Sequence, residues 1–225
     1  MGSGYAFKDD PYASHARILA LAGEGRGRRL LDVGAADGFL ARRFAERDWQ
    51  VTGIERDERQ AALARPHCRS VVVADLNRVI PELDERFDVI VYGDVLEHLL
   101  EPERVLRSLN RYLAEGGFII VSVPNVAHLW VRLMLLSGRF DYMDRGILDR
   151  THTRFFTLKT FRELLAACDV EVLTLVPISV PLPLVVPQRF HGGLLRRIQA
   201  LSAAGARWWP RGLAYQFVAT GRRKR

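Results

Sequence analysis

Leu30-Leu31-Asp32-Val33-Gly34-Ala35-Ala36-Asp37-Gly38-Phe39-Leu40 is an apolar strand that runs into a short turn holding two glycines and then into a helix. Gly34 permits a tight turn and a close backbone approach to a ligand. Gly38 opens a helix expected over Phe39 to Arg47, whose unpaired N–H groups can meet an anionic group. The turn also restricts the ligand. A dinucleotide fold wraps a pyrophosphate with Gly-x-Gly-x-x-Gly, whereas the run here is Gly34-Ala35-Ala36-Asp37-Gly38. Asp37 would set a carboxylate where a phosphate belongs, so a ligand without phosphates fits better.

Two more strands end in acids. Trp49 to Ile54 leads to Glu55, seventeen residues after Gly38 and placed to accept both hydroxyls of a ribose. Ser70 to Ala74 leads to Asp75, which could accept from an adenine amino group. Either acid alone reads equally well as the cap of a following helix. Acids at the ends of three successive strands read together as an adenosyl site, and S-adenosylmethionine is an adenosyl ligand without phosphates.

Strands are expected at 29–33, 49–54, 70–74, 87–92 and 117–123, with helices near 38–47, 57–65 and 101–113. That alternation implies a doubly wound, parallel α/β sheet, and residues 1–225 read as a single domain. A leading helix is read from Tyr12 to Ala22, and Gly116-Gly117 is read as the stop of the helix before the fifth strand. The apolar segment Val126 to Leu136 and the polar stretch Gly138 to Arg154 read as a substrate helix and lid over 126–156. A helix near Lys159 to Cys168, with Thr160 and Glu163 at capping-box spacing, precedes a sixth strand over Val170 to Val176. A last strand is expected over Leu213 to Thr220.

On these residues the chain resembles the class I S-adenosylmethionine-dependent methyltransferases, over nearly its whole length. Asp32 to Gly38 resembles the family's first motif, with Ala36 where glycine is usual. Glu55 matches the ribose acid, Asp75-Leu76 the adenine contact, and Phe87 to Asp94 the fourth strand. Asp94 to Pro102 and Ser122-Val123-Pro124-Asn125 narrow the resemblance to the branch with ubiquinone-type and sugar O-methyltransferases. Leu148 to Thr157 resembles bacterial methyltransferases associated with glycan assembly. The resemblance implies a Rossmann-like, seven-stranded, mostly parallel sheet with an antiparallel last strand. It implies S-adenosylmethionine held by Asp32, Gly34, Ala36, Asp37, Gly38, Glu55, Arg56, Asp75, Leu76, Gly93 and Asp94. The acceptor it implies is a sugar, glycan or lipid-linked glycan precursor; a phenolic quinone precursor or small metabolite is the alternative, and RNA a further one.

Methyl transfer from a sulfonium needs mainly an aligned and deprotonated acceptor. His98, just past the fourth strand, is the first candidate base, and the resemblance to sugar O-methyltransferases points to the same histidine. His152 is the second, because Asp149, Arg150, His152 and Arg154 form a dense polar cluster in which Arg154 could grip a substrate carboxylate or phosphate. Tyr142 could stack on a ring, while Phe155 and Phe156 would anchor the lid. Asp94, Glu97 and His98 reproduce a spacing that, in the ubiquinone-type enzymes resembled, can bind a divalent cation such as magnesium; the same letters can also satisfy a helix N-terminus. His15, His67, His128 and His191 show no partner pattern, though His15 falls near the cofactor edge.

Cys68 and Cys168 give neither a disulfide framework nor metal spacing, and the polar start of the chain lacks the basic and apolar pattern of a signal peptide. A cytoplasmic enzyme is expected. The net charge of +7 is lopsided: no acid follows Glu171, and 172–225 carries nine of the 33 Lys and Arg residues. The preceding residues hold 24 basic against 26 acidic side chains, a net of −2, so a long phosphate track for nucleic acid is not expected.

The basic end includes an insertion over 177–212, between the last two strands. Val172 to Pro187 is almost wholly apolar, yet Pro177, Pro181, Pro183 and Pro187 exclude a membrane-spanning helix, so an extended apolar loop is expected. Leu194, Leu195, Ile198, Leu201 and Trp208 then fall near one face of a helix, with Arg196, Arg197 and Arg207 off it and Trp209 beside its end. Such a helix suits peripheral contact with the inner membrane surface, packing on the protein itself, or a homodimer.

Overall fold

The computed structural model describes residues 13–224, so Tyr12, the expected start of the leading helix, lies outside the described residues, as does Arg225. The elements are α1 (Ser14–Ala22), β1 (Arg29–Val33), α2 (Phe39–Ala45), β2 (Gln50–Glu55), α3 (Glu58–Ala64), β3 (Ser70–Val73), β4 (Phe87–Gly93) and α4 (Pro102–Asn110). They continue as β5 (Leu113–Pro124), α5 (Leu129–Leu136), α6 (Leu158–Ala167), β6 (Val170–Ile178), α7 (Leu182–Val185), α8 (Gly193–Trp208), α9 (Pro210–Leu213) and β7 (Gln216–Arg223).

The seven strands form one sheet in the order β3-β2-β1-β4-β5-β7-β6. Only β7 runs antiparallel to its neighbours, as the resemblance implied. β1 shows why the sheet is covered on both sides. Leu30 packs into the core layer under α1 and α2, while Leu31 and Val33 enter the opposite layer with α4 and α6. All three side chains are fully buried, each stabilising the fold by about 1.5–3 kcal/mol. The chain reverses its winding between β1 and β4, which places a crevice at their carboxyl ends.

The turn after β1 is set by packing as much as by dihedral preference. Gly38 has φ 82°, and a Cβ there would lie 2.8 Å from the Cα of Ala64 in α3, so only glycine lets α2 and α3 approach this closely. Gly34 has φ 78°, and its Cβ would lie 2.9 Å from Val95 Cγ2.

Four local expectations change. Gly116-Gly117 sits inside β5 instead of ending a helix: α4 stops at Asn110, and the glycines occupy an irregularity at which the β4–β5 register jumps from Phe87↔Leu113 to Val89↔Phe118. The cap of α6 is Thr157, whose Oγ1 accepts the Thr160 N–H (3.2 Å) while Thr160 Oγ1 accepts the Thr157 N–H (2.9 Å). The extended apolar loop is absent as such, because β6 continues to Ile178, paired with Gln216, and short helices follow. Finally, α8 packs inward through Leu195, Gln199, Ala203 and Ala206, so Leu195 does not share a face with the other large apolar residues. Among the described residues no helix is long and apolar enough to cross a membrane.

Candidate functional site

The expected adenosyl residues converge on the carboxyl ends of β1, β2 and β3. Glu55 closes the turn after β1: its Oε2 accepts the Ala36 N–H (2.9 Å) and its Oε1 accepts from Arg56 and Asp57 (2.8 and 2.9 Å). Oε2, with one backbone donor, keeps capacity for a ribose hydroxyl. Ala36 adopts the left-handed conformation, φ 49°, that glycine takes without cost. Asp37 Oδ1 accepts the Phe39 N–H (3.2 Å) across the turn that leads into α2, whose N-cap is Gly38. Arg56 is exposed, and Leu76 is buried in the main core. Asp75 braces its own turn, with Oδ1 accepting the Asn77 N–H (3.0 Å) and Oδ2 3.5 Å from Arg78 Nε.

Asp32 is the electrostatic centre of this half. It is 2 % exposed, and its Oδ2 meets no hydrogen-bond partner among the described residues. Burial, with the nearby Glu55 carboxylate as the lesser cause, pushes its pKa from 3.8 up to about 7. A buried carboxylate oxygen without a donor fits a cationic ligand, and S-adenosylmethionine carries positive charge on its sulfonium and its amino group. Burial and Asp32 together push the neighbouring Cys68 thiol up to about 12, so that cysteine is an inert thiol.

At the end of β4, Gly93 leads into Asp94, which has φ 55°. Its N–H donates to Ser122 Oγ (2.9 Å), its Oδ1 accepts from both Ser122 Oγ and Gln216 Nε2, and its Oδ2 lies 3.9 Å from His15 Nε2. The His15 ring also lies against Phe39, centroids 4.7 Å apart, so α1 closes this side of the crevice.

The two candidate bases come together. His98 ends a 3-10 turn, Leu96–His98, and its ring meets that of His152 edge to face with centroids 4.8 Å apart. The 138–156 loop is stapled onto that turn: the N–H groups of Thr153 and Arg154 both donate to Glu97 O (2.8 and 3.0 Å). Buried Asp149 shapes the loop, accepting at Oδ1 from Thr151 N (2.8 Å) and Thr151 Oγ1 (2.6 Å). These bonds settle the tautomers. His152 Nδ1 faces the Ile147 carbonyl at 3.0 Å, so it carries the proton and donates. His98 Nδ1 faces Thr151 O and Thr151 Oγ1, each at 3.2 Å; the hydroxyl already gives its proton to Asp149, so Nδ1 donates here too. In the neutral form of either ring Nε2 then holds the lone pair. Burial is the main cause that lowers the His152 pKa below 6.5 and favours its neutral form.

Two expectations need correction. Arg154 does not present its fork to the crevice, because Nε and Nη2 both donate to Leu100 O (3.1 and 2.6 Å), making it a clamp on the loop. The expected metal trio Asp94, Glu97 and His98 does not assemble. Asp94 is held by Ser122 and Gln216, and it is Glu97, His98 and His152 whose potential ligand atoms lie within 4.8 Å of one another. Two imidazoles and one carboxylate suit zinc, manganese or iron, whereas magnesium prefers oxygen ligands.

Ser122, Thr151 and Gln216 went unread in sequence. Ser122 lay within a quoted motif, but Gln216 reaches Asp94 only because β7 inserts beside β5, a pairing with no local signal. His128 is structural, its Nδ1 accepting the Trp130 N–H (3.2 Å) at the start of α5. Tyr142 is 54 % exposed in a chain of aromatic contacts through Phe140 to Phe155.

A family model described as a methyltransferase domain matches residues 7–175. Among curated relatives, ubiquinone biosynthesis O-methyltransferase of Pseudomonas aeruginosa is 33% identical over 105 residues, which cover 44% of this chain and 45% of that protein. The matched region thus spans under half the length of that relative. The fold resembles an S-adenosylmethionine-dependent methyltransferase from Thermotoga maritima, at 20% identity and TM-score 0.63, with 96% of this chain and 91% of the other covered. It also resembles magnesium protoporphyrin IX methyltransferase from Synechocystis, solved with bound S-adenosylhomocysteine, at 14% identity and TM-score 0.60, covering 93% and 80%.

Proposed function

Since the chain belongs to the class I S-adenosylmethionine-dependent methyltransferase family, we propose that it methylates a hydroxyl of a sugar, glycan or lipid-linked glycan precursor, with His98 and His152 as the proton-accepting pair. The observation that carries this reading is the pairing of two imidazoles at the carboxyl edge, each with Nδ1 tied to a backbone carbonyl. An alcohol hydroxyl is a very weak acid, so a base held in its neutral form is what an O-methyl acceptor requires. Bound S-adenosylmethionine supplies a methyl group on an already charged leaving group. An imidazole Nε2 would take the acceptor O–H proton, readying the oxygen for the methyl group that the bound cofactor would supply while keeping the C–S electron pair on its sulfur. Asp32 and Glu55 hold the donor, Asp94 fixes the end of β4 against β5 and β7, and the stapled 138–156 loop acts as the lid that carries His152 to His98. The expected place of action is the cytoplasm.

The test is incubation with methyl-labelled S-adenosylmethionine and cell extract, followed by separation into aqueous, lipid and RNA fractions. Label in sugar-containing aqueous or lipid products supports the reading, and label confined to RNA overturns it. Full turnover in both His98→Ala and His152→Ala would remove the base assignment.

A second reading rests on the Glu97, His98 and His152 cluster. These residues would hold a divalent transition ion that lowers the pKa of a phenolic acceptor hydroxyl, in the manner of a quinone-precursor methyltransferase. Under that reading a chelator abolishes activity, and zinc or manganese restores it better than magnesium does.

A further inference from the structure

α8 has two apolar faces, and the fold uses only one. The inward face is anchored by Gln199, whose Nε2 donates to Ser179 Oγ (3.1 Å) and whose Oε1 accepts the Leu182 N–H (3.1 Å). The other face is a stripe at helical spacing formed by Leu194, Ile198, Leu201 and Trp208, with Leu194 73 %, Leu201 72 % and Trp208 84 % exposed. A helix that spends a second stripe of large apolar residues on solvent marks an interaction surface.

The surface continues onto α5. The Arg132 guanidinium lies 5.8 Å over the Trp209 ring and its Nη2 donates to Arg211 O (3.4 Å), which sets α5 beside α9 and the end of α8. α5 buries only Val131 and leaves Trp130, Leu133 and Leu136 exposed. Val131 packs on Ile147 and Leu148, so α5 rests on the same loop that carries His152.

Charge selects the occupant. Arg189, Arg196, Arg197, Arg207 and Arg211 belong to the segment without a single acid, 172–225. A second copy bound about a two-fold axis would press this basic segment against itself. A nucleic acid would satisfy the arginines but leave the leucine and tryptophan stripe in water. A bilayer with anionic headgroups satisfies both, since leucine and tryptophan enter the acyl boundary while arginines pair with phosphates at its surface.

We propose that the outward stripe of α8, together with the exposed face of α5, docks the protein on an anionic lipid surface. The carboxyl edge of the sheet then lies next to the bilayer. As far as the acceptor is concerned, this rests on the methyl-transfer reading and favours its lipid-linked form.

The test uses the full chain and measures partitioning, so its failure leaves methyl transfer untouched, and a failure of methyl transfer leaves it untouched. Vesicles of phosphatidylcholine alone are compared with vesicles that also contain phosphatidylglycerol. Co-sedimentation with the mixed vesicles is expected, with a blue shift of tryptophan emission and weakening by salt. The double substitution Leu201→Glu/Trp208→Glu, at two exposed positions, should lower partitioning by about tenfold or more with an unchanged circular dichroism spectrum. Arg196→Gln/Arg197→Gln should remove most of the preference for phosphatidylglycerol. The proposal is overturned if wild-type protein does not partition at low salt, or if the Leu201→Glu/Trp208→Glu protein partitions like wild type. A vesicle-free dimer that the same substitutions dissolve would assign the face to a second copy and overturn it as well.

Discussion

Asp32→Asn is expected to stabilise the folded chain while weakening its hold on S-adenosylmethionine. Burial and Glu55 raise the Asp32 pKa from 3.8 to about 7, a difference that corresponds to about 4 kcal/mol. Between those two values the folded chain keeps the Asp32 proton and the unfolded chain has lost it. Wild-type stability from this group therefore falls as pH rises from about 4 to about 7, and is flat above. Asparagine cannot ionise and avoids that loss, although its buried amide gives back about 1–3 kcal/mol if its protons find no acceptor. The net expectation is a gain of about 1–3 kcal/mol above pH 7 that shrinks steadily toward pH 4. Urea unfolding of both proteins across this range measures it directly. A difference that stays constant with pH, or an asparagine protein less stable than wild type above pH 7, would refute the electrostatic account of Asp32. The ligand effect has the opposite sign: a cationic ligand favours the ionised carboxylate, so wild-type affinity should climb with pH up to about 7 and the asparagine protein should show no such climb.

The left-handed Ala36 gives a smaller effect: Ala36→Gly should stabilise by about 0.5–1 kcal/mol, and any loss of stability in thermal unfolding would contradict the strain. His152→Ala should lower kcat by about 10² to 10⁴, and because the His152 pKa is depressed, the acid limb of the wild-type kcat profile should lie below pH 6.5. An acid limb above that pH would contradict its role. Arg154→Ala should cost about 1 kcal/mol and hasten proteolysis within 138–156, with Arg154→Lys failing to rescue, since an ammonium lacks the fork that grips the Leu100 carbonyl.

The parallel core was legible because its signals are local. Apolar strands each ended in an acid, and Gly34 and Gly38 stood at positions where packing against Val95 and Ala64 leaves no room for a side chain. Ala36 was legible as a departure, though not as a residue that would accept φ 49°. What escaped reading was long-range. Gln216 and Ser122 meet at Asp94 across the β5–β7 pairing, and His152 meets His98 through backbone bonds to Glu97. The same limit explains Arg154, whose carbonyl partner fifty-four residues earlier has no sequence signature. In α8 the periodicity put Leu194, Ile198, Leu201 and Trp208 on one stripe but wrongly joined to them Leu195, which packs inward. Which stripe faces the protein was decided by Gln199 and the small residues Ala203 and Ala206, which let the helix lie close.

The crevice at the ends of β1, β2 and β4 is expected to bind S-adenosylmethionine through Asp32 and Glu55. Calorimetric titration of the full chain with S-adenosylmethionine tests it most directly. One-site binding that Glu55→Ala weakens by about tenfold or more is predicted, from the loss of charge-assisted hydrogen bonds to a ribose. Absence of binding to the wild-type protein, or unchanged binding in Glu55→Ala, would contradict it.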